Sequence, residues 1–139
     1  ALLTLAGDML KGVIPVLVAR EYGMSDVLLS AVGVAAFLGH LYPVFFRFEG
    51  GKGVATAFGV MLTLHWGLGA AVVLLWVGAF ALTRISSVGA ITAFVAAPFL
   101  AGWLMPETVV GIAVMSVMLL ARHKTNILAL VKGTERRFK

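Results

Sequence analysis

The 139-residue chain is 61% hydrophobic and only 12% charged, where soluble domains carry about 25% charged and about 45–50% apolar residues. A globule of this size cannot hide so much apolar surface, so lipid must solvate much of it. That excludes a soluble Rossmann or barrel enzyme, a disordered chain and a nucleic-acid module, despite a net charge of +5. With no cysteine, a disulfide framework, a thiol nucleophile and a zinc ribbon are excluded as well. The chain opens at Ala1-Leu2-Leu3, inside an apolar run with no charged region before it. This does not resemble a signal peptide, and the chain is read as starting downstream of its natural N-terminus.

The apolar runs are Leu2–Ala19, Val27–Phe46, Val54–Leu64, Gly67–Thr83, Val88–Met105 and Thr108–Ala121. A crossing needs about 20 residues, so Val54–Leu64 is short. The charges decide whether Val54–Thr83 crosses once or twice. A turn at His65–Gly67 puts Arg47, Lys52, Arg84, Arg122, Lys124, Lys132, Arg136, Arg137 and Lys139 on one side, nine of the eleven Lys and Arg. One long helix would scatter them. The positive-inside rule therefore predicts an all-α, polytopic membrane protein with six membrane helices, one of them short. The loops at Arg47–Gly53 and Thr83–Ser87 and the C-terminal tail share the cytoplasmic face.

Within the first run, Asp8 and Lys11 are spaced to pair on one helix face. They are read as a structural pair, with a substrate role as the alternative. Gly12 and Pro15 follow, where a bend is expected. Near the end of the second run, His40 is a candidate proton acceptor or phosphate ligand. Next comes Glu49-Gly50-Gly51-Lys52-Gly53-Val54. Glycines tolerate positive φ, and the helix opening at Val54 points its free N–H groups back at the loop. Together they can cradle an anion beside the Lys52 ammonium. Lys52 is followed by Gly53, so this is not a Walker A loop; a tight topogenic turn is the structural alternative. Ser86 and Ser87 follow Arg84 and are candidates both for an N-cap of the next helix and for a polar site. Arg122, His123, Lys124 and Asn126 form a polar cluster at the last span's cytoplasmic end. The stretch Ile127–Lys132 suits the membrane interface.

These stretches resemble the bacterial acyl-phosphate:glycerol-3-phosphate acyltransferases, the PlsY family. The resemblance is carried by Gly7–Pro15, by Gly39–Thr56 (GHLYPVFFRFEGGKGVAT), by Thr83–Ile91, and by Arg122–Ile127 with Gly133–Glu135. It covers essentially the whole chain. The family has seven membrane helices, so residues 1–139 are expected to be one acyltransferase domain lacking the first helix and the first motif. The resemblance implies transfer of a fatty acyl group from acyl phosphate to the 1-hydroxyl of glycerol 3-phosphate, giving lysophosphatidate and phosphate. It implies no metal or cofactor, since the donor is already activated. It implies Lys52, Ser87 and His40 as catalytic, and Gly50, Gly51, Gly53, Val54, Thr56, Arg84, His123 and Asn126 as substrate-binding. The general base stays open between His40, His123 and a substrate phosphate oxygen. The expected partners are the two substrates and membrane lipid, not nucleic acid. A monomer in the bacterial inner membrane is expected, its active site cytoplasmic. The rival readings are a small transporter for a phosphorylated solute and a non-catalytic membrane subunit.

Overall fold

A computed structural model describes residues 1–43 and 52–139 of the chain. Among the described residues all the regular structure is helical. Its elements are α1 (Leu2–Glu21), α2 (Asp26–Leu41), α3 (Val54–Leu64), α4 (Trp66–Thr83) and α5 (Ser86–Leu104), then a 3-10 turn (Pro106–Thr108), α6 (Val109–Arg122) and α7 (Lys124–Val131).

The punctuation of these helices is local chemistry. Gly23, at φ +73°, ends α1 by donating to the Arg20 carbonyl. Ser25 then caps α2 by accepting the Leu28 N–H. The expected break in Val54–Thr83 is real and falls on His65, in extended conformation at φ −156°. Its Nδ1 accepts the Leu68 N–H, capping α4. One expectation shifts. The helix after Arg84 begins at Ser86, with Ile85 as its cap residue. Ser87 therefore lies inside the first turn, and its hydroxyl is not a cap. At the other end of the chain, α7 leaves α6 at a bend of 59°. In α1 the helix continues through Pro15. Gly12 instead serves packing, since a Cβ there would lie 2.3 Å from the Thr56 carbonyl oxygen.

α3 is the centre of the molecule. Ala57, Val60 and Met61 are fully buried, and α1, α2 and α4 pack around them. Apolar side chains gain little by leaving lipid, so the helices associate through close backbone contact and interhelical hydrogen bonds. Gly12 of α1 and Gly59 of α3 let the two backbones meet, and the Thr56 hydroxyl donates to the Asp8 carbonyl at 2.8 Å. Arg20 donates to the Leu64 carbonyl at 3.1 Å, satisfying an end of α3.

Leu74, Leu82 and Phe99 are 67–88% exposed, as faces solvated by acyl chains are. Three helices are long and apolar enough to cross a membrane, or up to four with the bent α6–α7 pair, while α2 and α3 are shorter. At 11 residues, α3 rises about 16 Å, roughly half of a hydrocarbon core. This is an all-helical membrane fold.

Candidate functional site

A cavity of about 590 Å³ opens where α1, α3, α4, α5 and the C-terminal tail converge. Its polar groups come from element ends: Lys52 before α3, Ser86 and Ser87 opening α5, His123 and Asn126 at the α6–α7 bend, and Glu135 and Arg136 in the tail. Its remaining walls are apolar, among them Leu5, Met9, Phe58, Val73, Trp76 and Phe138.

Gly53 starts this geometry. It caps α3 in the left-handed region, at φ +87° and ψ 3°, a conformation glycine adopts without strain. A Cβ there would also lie 2.2 Å from the buried Phe37 ring. This turn lays Lys52 beside α7, where its ammonium donates to Asn126 Oδ1. The Asn126 side chain also hydrogen-bonds the Glu135 carboxylate. Glu135 accepts the Ser87 hydroxyl at 3.0 Å and the Arg136 N–H at 3.0 Å. One hydrogen-bonded chain thus joins four elements of the fold. Because Ser87 donates to Glu135, its lone pairs are free to accept an incoming hydroxyl proton. His123 is 3% exposed, and its Nδ1 lies 2.8 Å from the Leu119 carbonyl. A carbonyl only accepts, so Nδ1 carries the proton and Nε2 is the nitrogen left for the cavity.

The tail is held by Arg84, the one non-glycine described residue with positive φ, at 61°. Its carbonyl accepts the Phe138 N–H at 2.7 Å and its guanidinium donates to the Lys139 carbonyl at 2.7 Å. Phe138 in turn meets Phe80 edge-on, with centroids 5.7 Å apart.

Asn126, then the Arg136 N–H, the Ser87 hydroxyl and the Lys52 charge, hold the Glu135 carboxyl below the usual carboxylate range against a smaller desolvation effect. A depressed carboxylate stabilises the fold above its unfolded pKa of about 4.3, and that stability is lost as pH falls through the lower folded value. Glu135→Gln is therefore expected to lower the melting temperature at pH 7. The difference from the wild-type protein should close as pH falls below about 4. A difference that is independent of pH would mean that the carboxylate's charge does not hold the tail.

The expected site residues divide. Lys52, Val54, Ser87, His123 and Asn126 line the cavity. Gly53 and Thr56 support it from the start of α3. Arg84 binds the tail and does not line the cavity. Asp8 and Lys11 pair at 3.1 Å, and His40 Nδ1 stands 3.7 Å from Asp8 Oδ1, away from the cavity. Gly50 and Gly51 lie outside the described residues. Glu135, Arg136, Phe138 and Trp76 were not singled out as site residues from the sequence. The signals for Glu135 are its place in the Gly133–Glu135 stretch of the resemblance and its being a lone acid in an otherwise basic tail.

The comparisons with known proteins agree with one another. The family model described as glycerol-3-phosphate acyltransferase matches residues 1–133. A glycerol-3-phosphate acyltransferase of Methylococcus capsulatus is 52% identical over 139 residues, spanning 99% of this chain and 70% of the relative. One from Methylobacillus flagellatus is 48% identical over 140 residues, spanning 99% of this chain and 71% of the relative. A crystal structure of PlsY, an integral membrane glycerol 3-phosphate acyltransferase in its lysophosphatidic acid form, superposes with a TM-score of 0.93 at 37% identity. The match covers 99% of this chain and 72% of that one. The glycerol 3-phosphate form superposes at 0.91 with 39% identity, over 99% of this chain and 70% of the other. The chain belongs to the glycerol-3-phosphate acyltransferase family.

Proposed function

We propose that this protein transfers a fatty acyl group from acyl phosphate to the 1-hydroxyl of glycerol 3-phosphate, giving lysophosphatidate and inorganic phosphate. The observation that carries the reading is a single cavity with cationic and hydrogen-bonding groups at one end and apolar walls beyond. A phosphorylated headgroup and an acyl chain fit it together. The solved relatives, described as lysophosphatidic acid and glycerol 3-phosphate forms, support the acceptor and the product of this reading.

An acyl phosphate is already activated, so the chemistry asks for position and charge compensation. The glycerol hydroxyl oxygen bonds to the acyl carbonyl carbon and the bond from that carbon to the phosphate oxygen breaks. The departing phosphate can take up the hydroxyl proton. Lys52, with the free N–H groups at the start of α3, offsets phosphate charge. Ser87, Asn126 and His123 Nε2 orient the glycerol phosphate. The acyl chain lies along α4.

The charge parity of the loops supports six membrane segments with the cavity's polar mouth on the cytoplasmic face of the inner membrane. Trp66 and Trp103, 78% and 80% exposed, open α4 and close α5 at the opposite end, as interfacial tryptophans do.

Ser87→Ala and Asn126→Ala in the full-length protein are each expected to cost about 1–3 kcal/mol of transition-state stabilisation, the size of a hydrogen bond to a charged group. The loss should be read in kcat/KM for glycerol 3-phosphate. Unchanged kinetics in both variants would remove these residues from the reaction. Reconstituted protein should use acyl phosphate and ignore acyl-coenzyme A; equal use of both donors would contradict the donor assignment.

A further inference from the structure

The apolar arm of the cavity has two aromatic walls. On α4, Trp76 stacks on Phe80 with centroids 5.2 Å apart and planes 16° apart. It also lies against Gly89 of α5, where a Cβ would come within 2.9 Å of the Trp76 carbonyl oxygen and 3.0 Å of its indole Cδ1 and Nε1. A larger residue at 89 would crowd both the Trp76 main chain and its indole. On α3, Phe58 stacks on Phe94 at 5.5 Å, and Phe94 is fully packed, at 1% exposure. Phe58 is held by this packed neighbour, while Trp76 is half-buried and braced by Phe80 and by the close approach of Gly89. Val73 lies one turn deeper than Trp76 on the same face of α4. It sits ten residues from the cytoplasmic end of α4 at Thr83, or about 15 Å along the helix axis.

We infer that Trp76 sets the acyl-chain specificity of this cavity, with Val73 closing its deep end. The inference rests on the proposed acyl-transfer reading and deepens it. The ligand class is a straight acyl chain. A methyl branch widens the chain in the arm that Trp76 and Phe58 both line, and the broad indole is the wall it meets. A chain that reaches beyond Val73 must leave the cavity for lipid.

The test uses full-length protein in proteoliposomes, with synthetic acyl phosphates in competing pairs. Straight-chain donors are paired with methyl-branched donors of equal carbon number, and long donors with short ones. Trp76→Ala is expected to raise the branched-to-straight ratio of kcat/KM roughly tenfold, and Val73→Phe to lower the long-to-short ratio roughly tenfold, the usual effect of a methylene-sized change in a pocket. The KM for glycerol 3-phosphate should stay within about twofold of the wild-type value in both, because the polar end is untouched. If Trp76→Ala does not fold, Trp76→Leu is read in the same way. Donor ratios unchanged in the folded variants, with glycerol 3-phosphate-dependent turnover intact, would overturn this inference and leave the acyl-transfer reading standing. Wild-type protein that acylates glycerol 3-phosphate from none of the donors would overturn both.

Discussion

Lys52→Ala is expected to nearly abolish acyl transfer while the protein still inserts and folds. Lys52 stands at the turn before α3 and reaches Asn126, where the hydrogen-bonded chain to Glu135 and Ser87 begins. A phosphate bound there without it lacks the nearest compensating charge. Losing one preorganised electrostatic contact at a reacting centre costs on the order of 3–4 kcal/mol, roughly 10²–10³-fold in rate. Lys52→Arg separates this role from topology. Both side chains are cationic and satisfy the positive-inside rule, but a planar guanidinium does not replace a compact ammonium between Asn126 and a glycine turn. Phosphate release by Lys52→Arg should therefore also be clearly impaired. Wild-type turnover in Lys52→Arg and Lys52→Ala alike would reduce this lysine to a topogenic charge.

Gly53→Ala is expected to damage folding and activity together, for two separable reasons. Residue 53 has φ +87°, and an alanine held in the left-handed region costs roughly 1–2 kcal/mol. Its Cβ would also meet the Phe37 ring at 2.2 Å. Phe37 is fully buried and has nowhere to retreat, and such overpacking costs roughly 1–3 kcal/mol. Melting in detergent should show a loss of about 2–5 kcal/mol, the sum of those two effects. Adding Phe37→Leu should recover the packing share and leave the backbone share. Full recovery would show that the turn does not need positive φ. No loss in Gly53→Ala alone would show that the turn differs from the one described.

Much of this site could be read from the chain because membrane topology sorts residues by loop. Lys52, Ser87, His123 and Asn126 are far apart in sequence, yet each sits at a helix end, and the parity of charged loops assigns those ends to one face. The same parity, with His65-Trp66 as punctuation, located the short α3. The tail's return could not be read this way. Phe138 and Lys139 are tied to Arg84 through main-chain groups, and backbone pairing between remote irregular segments leaves no periodic trace. A basic tail beside a membrane reads as surface attraction, so Glu135 and Arg136 stayed outside the expected site. Trp76 was hidden for a different reason. α4 is apolar on every side, so no amphipathic stripe separates a cavity wall from a lipid-facing residue. His40 shows the converse limit: loop parity assigns it to the same face as Lys52, but α2 presents it to Asp8 of α1, not to the cavity.

On the proposed function, one cavity holds a phosphorylated glycerol and an acyl chain and joins them. The direct measurement is the product balance of full-length protein in proteoliposomes given acyl phosphate and glycerol 3-phosphate. One lysophosphatidate should form for each inorganic phosphate released, with no phosphate release above the hydrolytic background when glycerol 3-phosphate is omitted. Glycerol 3-phosphate accumulating inside the vesicles with no lysophosphatidate formed would contradict it and favour a transporter.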